Sequence, residues 1–332
     1  MEKGTCRANA NIALVKYWGK RDETLMLPQN GSISMTLDGM HTTTTVEFLP
    51  SLKADEVTLN DALLADGKEF AQVVEHLNII REMAKIKTFA RVASKNNFPT
   101  AAGLASSASG FAALSMAAAK AAGLKLNPQE LSMLSRRGSG SASRSIHGGF
   151  VEWKRGEKSD GTDSYAQQIA PPSHWPNFRM LTTVVSTSEK KVKSRAGMKQ
   201  TVETCPLYPG WLSSVNADLD AVRSGIKEKD FHKVGATAEH NCLKMHATMI
   251  ATNPPIIYWN PATMEIIHLV QVMREEGVPV YFTIDAGPNV KVICQEENMQ
   301  DIEARLKELS GVKNVHVCKP GGPAETLKEH LF

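Results

Sequence analysis

Between Thr100 and Ser109, Leu104 is the only residue larger than threonine, and the run opens into the alanine-rich stretch 105–122 that Gly123 ends. An alanine face lets a helix lie close against a sheet. Small residues ahead of a helix start let backbone N–H groups close on an anion, which the helix dipole also favours. A triphosphate fits such a cradle, and Ser106 and Ser107 add hydroxyls for phosphate or Mg²⁺. No Gly-Lys-Ser/Thr follows, so the run is not a Walker A loop. Taken alone, it also reads as a tight turn that only brings the helix against a sheet.

Around this segment the first half mixes short β-branched stretches (10–17, 32–37, 42–49, 88–93) with a helical pattern at 68–84. Pro128 suits the first turn of a helix ending near Arg137, and 147–153 and 179–186 read as strands. The second half opens with amphipathic helical patterns at 211–226, 231–249 and 261–276. Strands at 280–284 and 290–294, a helix at 301–309 and a strand at 312–317 follow. This grouping predicts an α+β fold, divided near Thr187 into domains 1–186 and 187–332.

With 42% hydrophobic residues among 332 and a net charge of +3, the chain can bury a sizeable core and carries no polybasic arm for nucleic acid or a membrane surface. Five scattered cysteines without ligand spacing fit reduced, buried thiols. No secretory pattern occupies the first 20 residues, and no apolar run approaches the roughly 18 residues that span a bilayer, so a cytoplasmic location is expected.

Four further segments carry chemistry. Arg136-Arg137-Gly138-Ser139-Gly140-Ser141-Ala142-Ser143-Arg144 sets guanidinium groups at both ends of a run of hydroxyls and amides. Such groups grip phosphate or carboxylate bidentately, although a solvated turn with surface arginines has the same composition. In Asn11 to Asp22, strand alternation puts Lys16 and Tyr17 on opposite faces and leaves Lys20 and Arg21 beyond the strand end. Lys190, Lys191, Lys193 and Arg195 crowd four cations into six positions, which solvent or an anion must neutralise. Asp285 ends an apolar strand on an Ala-Gly-Pro turn, where aspartate also serves as a simple turn cap.

In this order the five segments resemble the mevalonate diphosphate decarboxylases of the GHMP kinase superfamily, from about Arg7 to about Gly322. The resemblance implies the GHMP kinase fold: an N-terminal domain like the second domain of ribosomal protein S5, a ferredoxin-like C-terminal domain, an active site in the cleft between them, and a homodimer. It implies ATP-dependent decarboxylation of (R)-5-diphosphomevalonate to isopentenyl diphosphate, with Mg²⁺ as cofactor. Asp285 then matches the catalytic aspartate and Lys16 its cationic neighbour, with Ser106 and Arg144 also catalytic. Asn11, Tyr17, Lys20, Ser139, Ser141, Arg144 and Arg195 match the substrate's ligands. Asn96, Pro99, Ala101, Ala102, Gly103, Leu104, Ala105, Ser106 and Ser107 match the ATP site, Ser106 being near the metal. Lys190, Lys191 and Ser194 match a loop that closes over ATP. Gly31 departs from a common serine, and Lys319-Pro320-Gly321-Gly322-Pro323 matches the glycine-rich end only loosely.

Three other readings share parts of this pattern. A 5-phosphomevalonate decarboxylase would differ in the pocket for the terminal phosphate, where Tyr17, Lys20 and Arg195 favour a diphosphate. A mevalonate 3-kinase would typically lack the aspartate and lysine pair. A non-catalytic nucleotide- or RNA-binding module fits poorly with a balanced charge and an intact acid.

Overall fold

The computed structural model describes residues 2–98, 106–186, 188 and 190–332. Two antiparallel-rich sheets organise it, the larger built mainly from the first half. Its strands run in the order Glu325–Thr326, Gly4–Val15, Ser32–Leu49, Phe89–Asn96, Glu56–Leu59, Ala62–Leu63, with Phe150–Trp153 joining Ser32–Leu49 to Ala166–Ala170. The stretches 32–37 and 42–49, expected as separate strands, are the two ends of the one strand Ser32–Leu49. Each end has its own outer neighbour: Ser32 to Met35 pairs with Phe150–Trp153, and Thr42 to Leu49 with Phe89–Asn96. Between them the register against Gly4–Val15 shifts, and Gly39 takes the left-handed φ of 85° that lets the strand change partners.

The alanine-rich segment forms the helix Ser106–Ala121, packed on Gly4–Val15 and Ser32–Leu49. Its approach is close enough that a Cβ on Gly4 would lie 2.1 Å from the Ala117 carbonyl oxygen. Larger residues on that helix face would push it off the sheet. The helix Pro128–Gly138 starts where its proline predicts, because Asn127 and Glu130 cap each other through bonds of 3.0 and 2.8 Å.

The smaller sheet has the order Tyr281–Ile284, Val290–Gln295, Phe178–Val184, Asn314–Cys318, all antiparallel. Helices Pro261–Glu275 and Glu296–Glu308 pack on it. Phe178–Val184 therefore pairs with the second half, although the division near Thr187 assigned it to the first. The chain end runs the other way: Pro320 bridges to Leu37, and Glu325–Thr326 joins Gly4–Val15 in the first sheet. One apolar cluster runs through both halves, taking Ile12 and Leu14 from the first strand with Val215, Met245 and Ile293. Each of these is essentially buried, worth about 1.5–3 kcal/mol apiece for a side chain of this size.

Several elements extend beyond their apolar pattern. Tyr208–Glu228 starts ahead of Trp211 because Pro209 fits its first turn, and Glu296–Glu308 starts on an acidic turn that favours the positive end of a helix. The helix Ser194–Thr204, the strand Ala166–Ala170 and two hairpins (Lys20–Asp22 with Leu27–Pro28, Glu56–Leu59 with Ala62–Leu63) are short or polar enough to leave no periodic trace. Among the described residues, no helix is long and apolar enough to cross a membrane.

Candidate active site

The helix Phe231–Ile250 packs on both the first strand and Tyr281–Ile284, so it joins the two sheets where Gly4–Val15 and Tyr281–Ile284 end. Lys16 leaves one end and Asp285 the other. Their side chains meet with Lys16 Nζ donating to Asp285 Oδ1 at 2.6 Å and to the Ala13 carbonyl at 2.8 Å. Beneath them, Asn241 Oδ1 accepts from the Lys16 backbone N–H at 2.8 Å. The Cys242 thiol accepts from the Ile284 N–H at 3.0 Å, and Asn289 Oδ1 ties the turn after Asp285 to the Val185 N–H at 2.8 Å. The turn is thus fastened to its neighbours on both sides of the carboxylate.

Burial opposes ionisation of Asp285, yet Lys16, Lys291 and Lys190 together hold its carboxyl well below the usual carboxylate range. Lys291 was not expected here. Its Nζ lies 3.7 Å from Asp285 Oδ2, and its side chain is 1% exposed against 28% for the aspartate. The strand in which it sits, Val290–Gln295, gives it the sequence appearance of an ordinary outward lysine between apolar neighbours.

Asp285 and Lys16 open onto a cavity of about 320 Å³. Of the expected substrate ligands, Asn11, Tyr17, Lys20, Ser139, Ser141, Arg144 and Arg195 all line it, as do Lys190 and Ser194. Lys16 and Tyr17 share this wall because the strand stops at Val15, so strict alternation no longer separates them. Lys191 is exposed and does not line the cavity. The residues Pro99, Ala101, Ala102, Gly103, Leu104 and Ala105 lie outside the described residues.

Arg144 is the best-anchored cation. Its Nε donates to Ser34 Oγ at 3.0 Å and Asn11 Oδ1 at 3.2 Å, and Nη1 to Ser32 Oγ at 2.5 Å. Asn11 in turn donates to Ser145 Oγ at 2.8 Å and the Ser141 carbonyl at 3.1 Å, so it braces the arginine and the 3₁₀ turn Gly140–Ile146 at once. Burial lowers the Arg144 pKa to about 10 against the pull of Asp285 and Tyr17, which leaves it charged at neutral pH. Glycine is required at 140, where a Cβ would lie 2.8 Å from the Trp153 ring and 3.0 Å from that of Tyr17.

Lys20 pairs with Glu23, and Arg195 Nη2 donates to the Gly138 carbonyl at 2.5 Å. Lys190 Nζ donates to Ser194 Oγ at 3.3 Å and stands 6.0 Å from the Tyr258 ring centroid. The Tyr17 hydroxyl is buried without a hydrogen-bond partner among the described residues, the situation of a donor built for a ligand oxygen. Among the described residues, five cationic side chains line the cavity against one carboxylate, that of Asp285, which makes it a receptor for a polyanion.

A second cavity, of about 190 Å³, adjoins the first along Gln72, Ser106, Ser107 and Phe111, and Asn96 and Glu69 line its far part. Ser106 and Ser107 head the helix Ser106–Ala121, where aligned N–H groups favour negative charge, and Ser139 Oγ reaches Ser107 Oγ at 3.5 Å. No group of three or more His, Cys, Asp or Glu side chains able to hold a metal occurs among the described residues. Mg²⁺ keeps several waters and binds mainly through phosphate oxygens, and Ser106 is the protein hydroxyl expected beside it. Gln72, Glu69, Lys291 and Asn241 come from helices and strands whose sequence carries no motif, so only the assembled fold identifies them.

Residues 8–166 match the model of the diphosphomevalonate decarboxylase-like N-terminal domain, and residues 180–326 that of the mevalonate 5-diphosphate decarboxylase C-terminal domain. A diphosphomevalonate decarboxylase from Homo sapiens is 41% identical over 346 aligned residues, covering 98% of this chain and 83% of that protein. A solved structure of MDDEF in complex with MVAPP, AMPPCP and magnesium superposes with a TM-score of 0.92 at 44% identity, over 98% of each chain. The mevalonate diphosphate decarboxylase from Staphylococcus aureus gives a TM-score of 0.93 at 40% identity, again over 98% of each chain.

Proposed function

The chain belongs to the diphosphomevalonate decarboxylase family, and on that premise we propose that the residues assembled around Asp285 carry out ATP-dependent decarboxylation of (R)-5-diphosphomevalonate. The products are isopentenyl diphosphate, ADP, phosphate and CO₂. The observation that carries the assignment of roles is the Lys16–Asp285 pair at 2.6 Å, facing a cavity whose lining also brings together Lys20, Arg144, Lys190 and Arg195.

A 3-hydroxy acid does not readily lose CO₂, because the electrons released have no adjacent carbonyl to enter. Phosphorylation of the tertiary C3 hydroxyl turns it into a leaving group. As phosphate departs, the electrons of the bond between the carboxylate carbon and C2 become the new C2–C3 double bond. Asp285 accepts a hydrogen bond from the C3 hydroxyl and aims its oxygen at the γ-phosphorus. Its depressed pKa makes it a weak base, which fits a loose phosphoryl-transfer transition state that asks chiefly for orientation. Arg144, Arg195, Tyr17 and Lys20 hold the substrate's diphosphate and carboxylate, Ser139 and Ser141 add hydroxyls, and Asn11 keeps Arg144 in place.

Asn96 and the small cavity take the nucleoside. Ser106 and Ser107 meet the triphosphate, and Lys190 reaches it from the other side. Mg²⁺, when bound, neutralises charge between the phosphates. The homodimer and the cytoplasmic setting belong to the same proposal. Five buried free thiols accord with a reducing compartment, and sedimentation checks the assembly.

The test is release of ADP and CO₂ from ATP with mevalonate, its 5-phosphate or its 5-diphosphate. Both products should appear together and most efficiently from the 5-diphosphate. ADP without CO₂ would make the protein a kinase, and a preference for the 5-phosphate would move the assignment to the monophosphate decarboxylase.

A further inference from the structure

Lys291 occupies a place where an ammonium group is costly. The residues around it in Val290–Gln295 are Val290, Val292, Ile293 and Cys294, all buried, and desolvating a cation there requires a compensating partner. Its Nζ donates to the Asn289 carbonyl at 3.0 Å and lies 3.7 Å from Asp285 Oδ2. Lys16 holds the other oxygen, Oδ1, at 2.6 Å. Two ammonium groups thus bracket one carboxylate, but only Lys16 lines the cavity. Lys16 is in position to touch substrate, whereas Lys291, behind the lining, meets the site through Asp285.

We propose that Lys291 is a positioning residue for phosphoryl transfer, fixing the carboxylate of Asp285 from behind and keeping it ionised when Lys16 turns part of its charge toward substrate. The inference rests on the decarboxylase reading of the site. Lys16 and Lys190 both stabilise the Asp285 charge and both line the cavity, so an incoming phosphate competes for each of them. With Lys291 set behind the cavity lining, the carboxylate keeps a counter-ion that substrate does not compete for.

Among the described residues, the charged and titratable neighbours of Lys291 include Asp285 from the preceding turn, Lys16 from the end of the first strand, Lys190 from the loop across the cavity and Cys242 from the helix below. Burial brings its pKa down to about 8, with Asp285 opposing the fall and Lys16 and Lys190 adding to it. Lys291 accordingly loses its proton on the alkaline side of neutrality, and Asp285 loses one of its three lysine counter-charges there. Turnover should decline as pH rises through that range.

The test compares wild type with Lys291→Met and Lys291→Arg in single-turnover assays from pH 5 to 10. Lys291→Met should lose about tenfold or more in kcat, because the carboxylate is no longer held from behind in line with the C3 hydroxyl. KM for both substrates should stay within about threefold, and the alkaline decline should vanish. Lys291→Arg, which keeps its charge across this range, should restore kcat without the alkaline decline. A soluble Lys291→Met enzyme with wild-type kcat and pH profile, or one changed only in thermal stability, overturns the proposal. If Lys291→Met does not fold, ¹³Cε-lysine NMR titration of wild type and Asp285→Asn gives the same answer, with the Lys291 resonance assigned through Lys291→Arg. The Lys291 midpoint should fall when Asp285 is neutralised, and an unmoved midpoint overturns the coupling. Wild type that fails to decarboxylate diphosphomevalonate would sink the decarboxylase reading instead, which the NMR coupling does not depend on.

Discussion

At the scale of single residues, the site turns on how an aspartate stays charged in a largely enclosed place. Asp285→Asn keeps the shape but cannot draw the C3 hydroxyl into line with comparable strength. Single-turnover formation of ADP and CO₂ should therefore slow by at least about 10², the low end of what a positioned acid–base group contributes. Binding of ATP and diphosphomevalonate should persist, and a variant running at wild-type speed would reduce Asp285 to a turn cap. Asp285 and Lys16 were singled out by the resemblance of their stretches to the family's, since an acid ending an apolar strand and a lysine before two further cations fit a turn cap and a strand end as well. Lys291 was not, since alternating valine and lysine in a strand usually means one face in water. Here both faces are covered, a fact of tertiary packing that the segment's own sequence does not record.

Among the elements, the helix Phe231–Ile250 is the one that brings the pair together, and its sequence shows only an amphipathic pattern. Asn241 is fully buried on it, accepting from the Lys16 N–H and donating to Asp218 Oδ2 at 2.7 Å, which also receives Lys244 Nζ at 2.7 Å. Asn241→Leu would strand the Lys16 N–H and take one partner from Asp218, at a cost of about 1–3 kcal/mol for each unsatisfied buried group. The expected outcome is a lower urea midpoint together with a fall in kcat that exceeds any change in KM, because Lys16 is what moves. Unchanged stability and turnover would show that the strand end holds itself. The alanine-rich helix was readable for the opposite reason. Its constraint is local, since small side chains serve close approach wherever the helix packs. By contrast, the split of Ser32–Leu49 into two expected strands followed polar residues and glycine near its middle, which in the fold mark a change of partner rather than an end.

For the molecule as a whole, the α+β organisation could be read from the grouping of patterns, but the membership of Phe178–Val184 and of the chain end could not. Sheet membership is decided by partners more than 100 residues away in sequence, as when Phe178 pairs with Gln295 and Cys6 with Thr326. The same long-range burial gives the protein a dependence on acid. His76 in the first half and His246 in the second are almost fully buried, and burial brings both pKa values down from 6.5 to about 3. His76 holds Ser115 Oγ at 2.7 Å, and His246 sits 3.3 Å from the Ile284 carbonyl, directly before Asp285. Above pH 6.5 neither state carries these protons, so their contribution to stability is complete. As pH falls from 6.5 toward 3, the unfolded chain takes up both protons while the folded protein takes up neither. Each histidine then removes about 1.4 kcal/mol of stability per pH unit, or about 4 kcal/mol for the two at pH 5. The shifts of His41 and His147 have the same sign, whereas the stability that Asp285 gains from its lowered pKa is complete above about 3.8 and is lost only as pH falls further. Against a typical total of about 5–15 kcal/mol, this should make the urea midpoint fall steeply between pH 6.5 and 4. His76→Gln should flatten that slope by about 1.4 kcal/mol per unit, even if the variant starts from a lower midpoint at pH 7. A midpoint that stays level from pH 7 to 5 would mean that the two imidazoles can be protonated in place, and that the core around Asp285 admits water far more readily than its packing implies.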